Sequence, residues 1–583
     1  MINEGKIDLR APISAGMMLR PEINQKNSND HGGLNMMMAE NKKNISISGR
    51  GSVGITVVKN IDNDPSNLDS NKNGGFNRTD YRVIIPKGHQ IASRSEEANK
   101  SGILNEGKID VQGDDSVGVG ILNTIQSVVV NGEINIGTTA QNSSYSNRTS
   151  GGDATKVEGA TGVYTEAATR PVRGREYRYD NNGNETIVAR YYDDHGRENE
   201  NKVIKRTYVD QHGVTKTEYT GVTIGTETVE VGGTITLGEH AESSYGLRNK
   251  TSQVVTKDEH GNQADYITSG SITLTGNGKV YVKGKKNFGA VAEGDNYYRE
   301  IKKAADQYPE RKFEVGRIDI AGLIDVTGQQ SIGYVLKSGE GSNSGTIKVT
   351  GHSDNAATNT EYKGSLGFYG EKGTFTNRGT IEASGKIAHA VVAKTSNMIF
   401  NHYGTIKVDS PSGDRGNIAV YSDGLSKVNF NHNSNVYVGD YSVGIHSADK
   451  DKFNDTFKNY GTLNIKIGKE STFAYLDGDA TTTLKEFFNQ GNTKVNLVDE
   501  MGESSSIVYA SNKAKAKLDT DYTITKGSNA STIALLASNK ATVSVESGKT
   551  LTTNTNVALA AVDGTSTAGS GSTAQNNGTI LST

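Results

Sequence analysis

A short phrase, G-x-x-S-[VI]-G, recurs along this chain and constrains its fold more than any other feature of the sequence. It occurs as GRGSVG at 49, GDDSVG at 113, GQQSIG at 328 and GDYSVG at 439. An alternating apolar stretch precedes each copy and a further apolar pair follows it, which is the pattern of a turn between two short strands. A phrase used four times cannot be a single active site. It therefore marks a repeated structural unit.

A second phrase, N-x-G-x-[IL], lies upstream of the first in the same unit. It is seen as NEGKID at 3 and 105, NRGTIE at 377 and NYGTLN at 459, and an aromatic residue often precedes it, as at Phe375, Phe400, Phe430 and Phe457. The unit thus contains three short strands separated by glycine-containing turns, and it returns after roughly 22 to 35 residues, as solenoid repeats do.

These repeats predict an all-β fold, a right-handed parallel β-helix of around 15 coils that is about 70 Å long at a rise of ~4.8 Å per coil. Isoleucine, valine, leucine and phenylalanine should form a continuous core, and asparagines should stack into ladders inside it. We expect glycines at the corners where φ turns positive.

The composition favours one narrow, continuous core rather than several compact domains. The chain has 69 glycines, 7 prolines, no tryptophan and 33% hydrophobic residues, and the regular spacing of the apolar residues argues against disorder.

Lysine plus arginine (63) balances aspartate plus glutamate (66), so there is no basic excess to attract nucleic acid. The absence of cysteine excludes disulfides, thiol zinc sites and thiol nucleophiles. No apolar run is long enough to span a bilayer, and we expect a monomeric rod without a cofactor.

Insertions divide the repeat array into five parts. Residues 1–171 should form N-terminal coils with a loop insertion near 60–95, and 172–222 a protruding antiparallel β-hairpin meander. Residues 223–294 return to coils with an extra hairpin at 253–268, and 295–315 have the apolar spacing of one short amphipathic helix. Residues 316–583 should be regular coils that stop within a repeat, so we interpret the chain as a piece of a longer one.

The segment 172–222 is the most distinctive stretch, because it is dense in tyrosine and arginine. The phrase D-x-[NH]-G occurs there as DNNG at 180, DDHG at 193 and DQHG at 210, and again as DEHG at 258, which suits type I turns with a glycine bulge in β-hairpins. It is similar to the tyrosine-aspartate hairpin repeats of bacterial surface shell proteins. Tyrosine and arginine dominate binding hot spots, and tyrosine rings stack on sugars. The candidate ligand-binding residues are Tyr177, Tyr179, Arg190, Tyr192, Arg206 and Tyr208. The alternative is that tyrosine is simply a favourable cross-strand residue.

Catalytic serine and metal chemistry are both poorly supported by the sequence. Ser116 lies in a phrase with one residue more than the G-x-S-x-G nucleophile elbow, and a strand rather than a helix follows it, so we interpret it as a corner residue. His195, His212 and His260 stand beside aspartates at hairpin tips, but without the short spacings of zinc sites. We interpret them as solvated turn residues and expect no metal.

Enzymatic cleavage of glycans is the alternative function, because parallel β-helices include polysaccharide lyases and glycosidases. Asp110, Asp319 and Asp325 each follow an isoleucine in a strand and could line one outer face as acid and base. Any solvated residue that alternates with an inward isoleucine would also lie on that outer face, whatever its function. No clustered set of aspartate, lysine and arginine is evident in the sequence. Fold alone does not decide between these readings.

Three long phrases resemble a known family. NEGKIDVQGDDSVGVGILN, NRGTIEASGKIAHAVVAK and NYGTLNIKIGKESTFAYLDGD are similar to the passenger domains of large monomeric (type V) autotransporter adhesins, especially fusobacterial-type outer-membrane adhesins. The resemblance implies an extracellular β-helix displayed on the cell surface at the outer membrane. It also implies cell adhesion through a host-cell receptor, a glycan or a partner bacterial surface, and therefore coaggregation, host-pathogen interaction and virulence. It supplies no universal binding residues, and it implies that the chain is not an enzyme.

Overall fold

The chain winds repeatedly through three parallel sheets, which we name A, B and C, and each passage from A to B to C is one coil. The structure is a computed structural model, which describes residues 1–19, 38–57, 102–121, 127–140, 155–165, 175–179, 185–189, 202–209, 215–221, 228–250, 255–257, 263–265, 271–293, 316–352, 365–411, 414, 416–447, 453–478, 481–490, 493–562 and 571–583.

The strands of the three sheets are short and follow one another in chain order. Sheet A has 12 strands: Ile2–Asn3, Met38–Asn41, Gly102–Asn105, Ser127–Val130, Thr228–Val231, Ser271–Leu274, Arg317–Ile320, Glu340–Asn343, Gly373–Asn377, Met398–His402, Lys427–Phe430 and Phe457–Asn459. Sheet B has 14 strands: Lys6–Leu9, Asn44–Ile47, Lys108–Val111, Glu133–Ile136, Thr234–Leu237, Lys279–Val282, Leu323–Val326, Thr346–Val349, Thr380–Ala383, Thr405–Val408, Ser434–Val438, Thr462–Ile467, Thr493–Leu497 and the edge strand Asn489–Gln490. Sheet C has 15 strands: Ala15–Leu19, Val53–Val57, Val117–Ile121, Thr161–Thr165, Tyr245–Asn249, Phe288–Glu293, Ile332–Ser338, Ser365–Gly370, Ala388–Ala393, Asn417–Ser422, Ser442–Ser447, Thr472–Asp477, Ser506–Ser511, Ile533–Ser538 and Val557–Val562.

Smaller sheets complete the solenoid. A two-stranded sheet pairs Val157–Glu158 with Ala241–Glu242. In the last coils two sheets alternate with sheet C: one contains Thr481–Thr483, Lys515–Leu518, Thr542–Val545 and Thr573–Asn576, and the other Tyr522–Ile524, Thr550–Thr553 and Thr579–Ser582. The 15 strands of sheet C agree with the predicted number of coils and with a length of about 70 Å at ~4.8 Å per coil. The predicted parallel β-helix is confirmed.

The core is built from side chains stacked in register from coil to coil. Ile45 pairs with Ile109, which pairs with Ile134, and all three are fully buried. In the later coils aromatic rings fill much of the interior. Phe375 and Phe400 are fully buried, as predicted, and their ring centroids are stacked 5.8 Å apart. Parallel pairing therefore aligns identical or similar side chains, and each coil buries the apolar face of the one before it.

The serine of the G-x-x-S-[VI]-G phrase fastens each corner between sheets B and C to the preceding coil. Ser116 is fully buried, its hydroxyl donates to the carbonyl of Gly49 at 2.9 Å, and it accepts the N–H of Ser52 at 3.1 Å. Ser331 forms the same pair of bonds with the Gly284 carbonyl and the Asn287 N–H, both at 3.0 Å. The interpretation of Ser116 as a corner residue is confirmed, because its hydroxyl is used within the solenoid.

Among the glycines of this phrase, Gly51 has the positive φ expected at a corner (62°), whereas the first and last glycines of each copy do not. Positive φ falls on the residue before the serine, and this residue is Asp115 (54°), Gln330 (53°) or Tyr441 (54°) in three copies. The last glycine of the phrase instead permits close approach: a Cβ added at Gly118 would lie 2.7 Å from the next coil's Gly162 carbonyl. Glycine occupies this position in the first eight strands of sheet C: Gly16, Gly54, Gly118, Gly162, Gly246, Gly289, Gly333 and Gly367.

The expected asparagine ladders are present at the end of sheet A. The Asn3 amide donates to Asn41 at 2.7 Å, and Asn41 donates to Asn105 at 2.7 Å. A second ladder begins with Asn343 donating to Asn377 at 2.7 Å, and its next position in register is His402. A fully buried imidazole therefore replaces the amide at that position.

The insertions contain a separate four-stranded sheet and one further hairpin. The sheet has the spatial order Glu185–Ala189, Arg175–Tyr179, Lys202–Val209, Thr215–Gly221. Its first two and last two strands are antiparallel, as predicted for hairpins, but the hairpins join through parallel pairing of Arg175–Tyr179 with Lys202–Val209 rather than as a continuous meander. The hairpin predicted at 253–268 is formed by Val255–Lys257 and Gln263–Asp265.

Helices are scarce in the described residues. Two short ones occur, Phe453–Thr456 and Lys485–Phe488, and neither was predicted. The helix predicted at 295–315 and the loop predicted near 60–95 lie outside the described residues. Across the parts of the chain that the structure describes, no helix has the length and apolar character needed to cross a membrane.

Candidate functional site

The hairpin sheet brings four of the six predicted binding residues to one face. Tyr177 and Tyr179 lie on Arg175–Tyr179, and Arg206 and Tyr208 lie on Lys202–Val209. Tyr177 pairs with Ile204. Because alternate residues of a strand share a face, the register places these four residues at positions on the same face as Ile204. We call this surface the hairpin face.

The other two predicted residues, Arg190 and Tyr192, lie outside the described residues. Within the sheet, Arg206 pairs with Glu218 and Tyr208 pairs with Lys216. The register therefore places arginine, tyrosine and both signs of charge at paired positions of adjacent strands.

The insertions enter the solenoid only at the two edges of sheet C. Up to Asp477, connections longer than ten residues between strands of these sheets run either from sheet C to sheet A, at 20–37, 58–101, 166–227, 250–270 and 294–316, or from sheet B to sheet C, at 137–160 and 350–364. The connections from sheet A to sheet B are never longer than the four residues 275–278. In solenoids, insertions that map to one side often identify the binding side. Sheet C is therefore the side of the rod on which extra chain is displayed.

A polar and aromatic cluster lies on the outer face of sheet C beside these insertions. Arg248 forms an ion pair with Glu293 at 2.6 Å, and its guanidinium lies 4.4 Å from the centroid of the Tyr245 ring. Lys337 approaches Glu293 at 3.4 Å. Burial alone would raise the pKa of Glu293, but the hydrogen bond to Arg248 and the charges of Arg248 and Lys337 outweigh it and lower that pKa. The cluster is held together in its ionised form.

Four apolar residues farther along the outer face are buried although they point away from the core. Val291 and Val335 occupy paired outward positions of successive strands, Val392 lies in the same row two coils after Val335, and Leu366 lies in a neighbouring row. They are at most 4% exposed, yet none belongs to the main hydrophobic core. This part of the outer face of sheet C is therefore apolar and buried.

Beyond the long insertions, the outer face of sheet C carries a row of aromatic rings in edge-to-face and tilted contact. Tyr421, His446, Tyr475 and Tyr509 occupy paired positions of four consecutive strands, and their ring centroids are 5.5, 5.0 and 5.3 Å apart. All four side chains are partly exposed. We call them the aromatic row. The connections that follow the strands of His446 and Tyr475 are short, nine residues (448–456) and three residues (478–480).

The sequence analysis missed the aromatic row, although it contains a signal. The third strands read NIAVYS, SVGIHS, TFAYLD and SIVYAS, and an aromatic residue recurs near the end of each. Only the register shows that these residues share one outward row, because the spacing between them varies from coil to coil.

The carboxylates considered for glycan cleavage do not come together. Asp110 and Asp325 lie in one outward row of sheet B but four coils apart, about 19 Å at ~4.8 Å per coil. The acid and base of a glycosidase are separated by only about 5 to 10 Å. Asp319 lies on sheet A, where it accepts hydrogen bonds from Arg317 at 2.6 Å and Ser342 at 2.5 Å.

The remaining sequence candidates concern metal binding. His195, His212 and His260 lie outside the described residues. In the described part of the chain no three histidine, aspartate or glutamate side chains are grouped so that they could hold a metal ion.

Two surfaces thus remain as candidate binding sites, the hairpin face and the outer face of sheet C. Both lie on or beside the side of the solenoid that accepts insertions. Comparison of the chain with protein-family models, with curated proteins and with solved structures gives no match.

Proposed function

We propose that this chain is part of a cell-surface adhesin, a passenger segment that attaches a bacterium to other bacteria or to host cells. The observation that carries the proposal is the confinement of all long insertions to the two edges of sheet C. A rod that bears its inserted segments on one side can present them together to an opposing surface. The autotransporter resemblance of the repeats supports display at the outer membrane.

The solenoid supplies stiffness, and the insertions supply contacts. Each inner coil is hydrogen-bonded to a coil on either side, and one hydrophobic cluster runs from Met17 to Leu551. Several weak contacts held on such a rod act at high effective concentration toward the same target surface, so their combined binding exceeds that of any one. Chemistry on the ligand is not required for this mechanism.

The hairpin face is the primary binding surface in this proposal. Tyr177, Tyr179, Arg206 and Tyr208 combine large aromatic area with directional hydrogen bonding, which is typical of residues that dominate binding energy. The ligand is a host receptor, a surface protein of a partner bacterium or a glycan. A cell-binding experiment separates this role from a purely structural one.

The test is attachment of beads coated with the full chain to bacterial and epithelial cells. Replacing 172–222 with a short glycine-serine linker should abolish attachment while circular dichroism still reports the folded solenoid. The double variant Tyr177→Ala, Tyr208→Ala should reduce attachment at least fivefold, whereas Arg178→Ala, on the opposite face of the same strand, should not.

Two results would overturn the proposal. Attachment that survives the removal of 172–222 unchanged would exclude the hairpin face as the binding surface. Depolymerisation of a polysaccharide by the purified chain would place it with the β-helical polysaccharide lyases or glycosidases instead.

A further inference from the structure

The aromatic row forms a shelf on the solenoid surface. Its four rings span about 15 Å at the ~4.8 Å coil spacing. Tyr475 lies between His446 and Tyr509, with ring centroids 5.0 and 5.3 Å away, so neighbouring rings limit its movement. Such a surface is pre-organised, and a ligand that stacks on it loses little binding energy to ordering of the protein.

A border of hydrogen-bonding groups runs along one side of the aromatic row. Asp477 accepts a hydrogen bond from Asn512 at 2.6 Å, and the Tyr509 hydroxyl is bonded to Ser538 at 2.8 Å. Ser511 lies within 3.4 Å of the Ser538 hydroxyl. A carboxylate, an amide and hydroxyls therefore line the same edge. Neighbouring rings of the row are inclined to one another by 57° to 81°, so each ring offers its own partly exposed face or edge. Aromatic faces beside such groups suit a ligand with apolar faces and hydroxyl edges, which is the chemistry of a sugar ring.

The charges around the row favour a neutral ligand. Asp423, Asp477 and Lys513 lie at the ends of strands that carry the row or in the turns that follow them, so both signs are present. Lys540 follows the next strand of sheet C, Ile533–Ser538. A polymer with charge of one sign would meet repulsion as well as attraction along this edge. Burial lowers the pKa of His446 to about 4, so the imidazole in the row is uncharged near neutral pH.

The size of the row argues against a second copy of this chain as the partner. Aromatic side chains have 150–250 Å² each, so four partly buried rings offer on the order of 300 Å². Each partner in a standard protein interface contributes about 800 Å². The row is too small for stable self-association and is of the right length for a short oligosaccharide.

We propose that the aromatic row, with the border of Asp477, Asn512 and Ser538, is a binding site for a neutral linear oligosaccharide. It deepens the adhesin proposal, on which it rests, by adding a glycan site separate from the hairpin face. Sugar rings lie flat on Tyr475 and Tyr509, and their hydroxyls bond to the polar border.

The experiment uses the full chain and a printed panel of neutral and acidic oligosaccharides, which includes linear tetrasaccharides of glucose, galactose and N-acetylglucosamine. The strongest neutral ligand is then titrated by calorimetry. Tyr475→Ala should weaken binding about tenfold, since stacking contributes at this level. Tyr475→Phe keeps the ring and should bind within about threefold of the wild type, because the hydroxyl is not the stacking group.

Tyr460→Ala is the matched control, because Tyr460 is 61% exposed but lies at the corner between sheets A and B. Its binding should equal that of the wild type. Removal of 172–222 should leave oligosaccharide binding intact, which separates a failure of this site from a failure of the hairpin face.

Three outcomes would each overturn the inference: no neutral oligosaccharide binds, only acidic ones bind, or Tyr475→Ala binds as tightly as the wild type. Self-association of the wild-type chain in sedimentation that Tyr475→Ala abolishes would assign the row to a protein contact and would equally overturn it.

Discussion

At the scale of single residues, contact with the adjacent coil determines which side chain a position accepts. Ser116 is required because its hydroxyl makes two hydrogen bonds to the preceding coil. Gly118 is required because the backbone of the next coil lies too close for a Cβ atom at this position. These demands repeat over the first eight strands of sheet C, so they appear in the sequence as the recurring phrase. The sequence therefore showed which residues form the turn, but it suggested positive φ as the reason for the glycines, because the distance between coils cannot be seen from one repeat.

We expect Gly118→Ala to lower the free energy of unfolding by about 1–3 kcal/mol, the usual range for overpacking. The new Cβ would lie 2.7 Å from the Gly162 carbonyl and 2.9 Å from Ile134 Cγ2, and the backbone cannot easily yield. Urea denaturation followed by circular dichroism measures the change. Gly276→Ala is the control, because no atom lies within 4 Å of its added Cβ. Equal loss in both variants would contradict the explanation.

His402 should make the solenoid less stable in mild acid. Its Nδ1 accepts a hydrogen bond from the Asn377 amide at 3.1 Å and its Nε2 donates to the Asn435 carbonyl at 3.0 Å, so a proton on Nδ1 would break the ladder. Burial lowers the pKa of His402 from 6.5 to about 4. Between these pH values the unfolded chain binds a proton that the folded chain does not. Stability is thus complete above pH ~6.5 and falls as the pH drops toward ~4, by up to ~3 kcal/mol.

His402→Asn tests this pH dependence, because asparagine is the residue at the other ladder positions. Stability at pH 7 should change little, and the fall between pH 6.5 and 4 should become shallower by about one proton in the slope. Burial also lowers the pKa values of His389 and His446 to about 4, so part of the fall should remain. An unchanged slope would mean that His402 is not one of the titrating groups.

At the scale of strands and hairpins, the pairing register determines which side chains share one surface. Register is also the property that a single sequence predicts least well. The alternating strands and the hairpins at 175–221 were predictable from period and turn chemistry. The aromatic row was not, because its members are separated by insertions and turns of different lengths. The parallel pairing of Arg175–Tyr179 with Lys202–Val209 was also missed, since neighbouring hairpins more commonly continue as a meander.

Excision of one complete coil should leave the solenoid folded. Glu382 and Lys407 are paired across adjacent strands, so deletion of 382–406 joins Ile381 to Lys407 with the inward and outward positions preserved. Circular dichroism should still show β-structure and a cooperative thermal transition. Deletion of 382–405 should fail, because the one-residue shift would turn Lys407 into the core. Cooperative unfolding of both variants would show that register is not enforced there.

At the scale of the whole molecule, the coil count fixes the length, and the insertions leave it unchanged. Low-angle X-ray scattering should give a maximum dimension of at least about 70 Å. Replacing 172–222 with a short linker should reduce the mass but keep this dimension, since Thr161–Thr165 and Thr228–Val231 remain in consecutive coils. A shorter particle after that replacement would mean that the coils on either side depend on the insertion.

Because long connections occur at only two of the three corners of the coil, the rod accepts inserted segments next to sheet C and not between sheets A and B. Connections from sheet A to sheet B never exceed four residues, whereas those at the edges of sheet C range from short turns to entire hairpin sheets. A gene encoding such a chain can gain or exchange segments at one edge without disturbing the hydrogen-bonded scaffold. For the same reason the connection 478–480, which follows the strand of Tyr475, is a suitable place to graft a peptide next to the aromatic row.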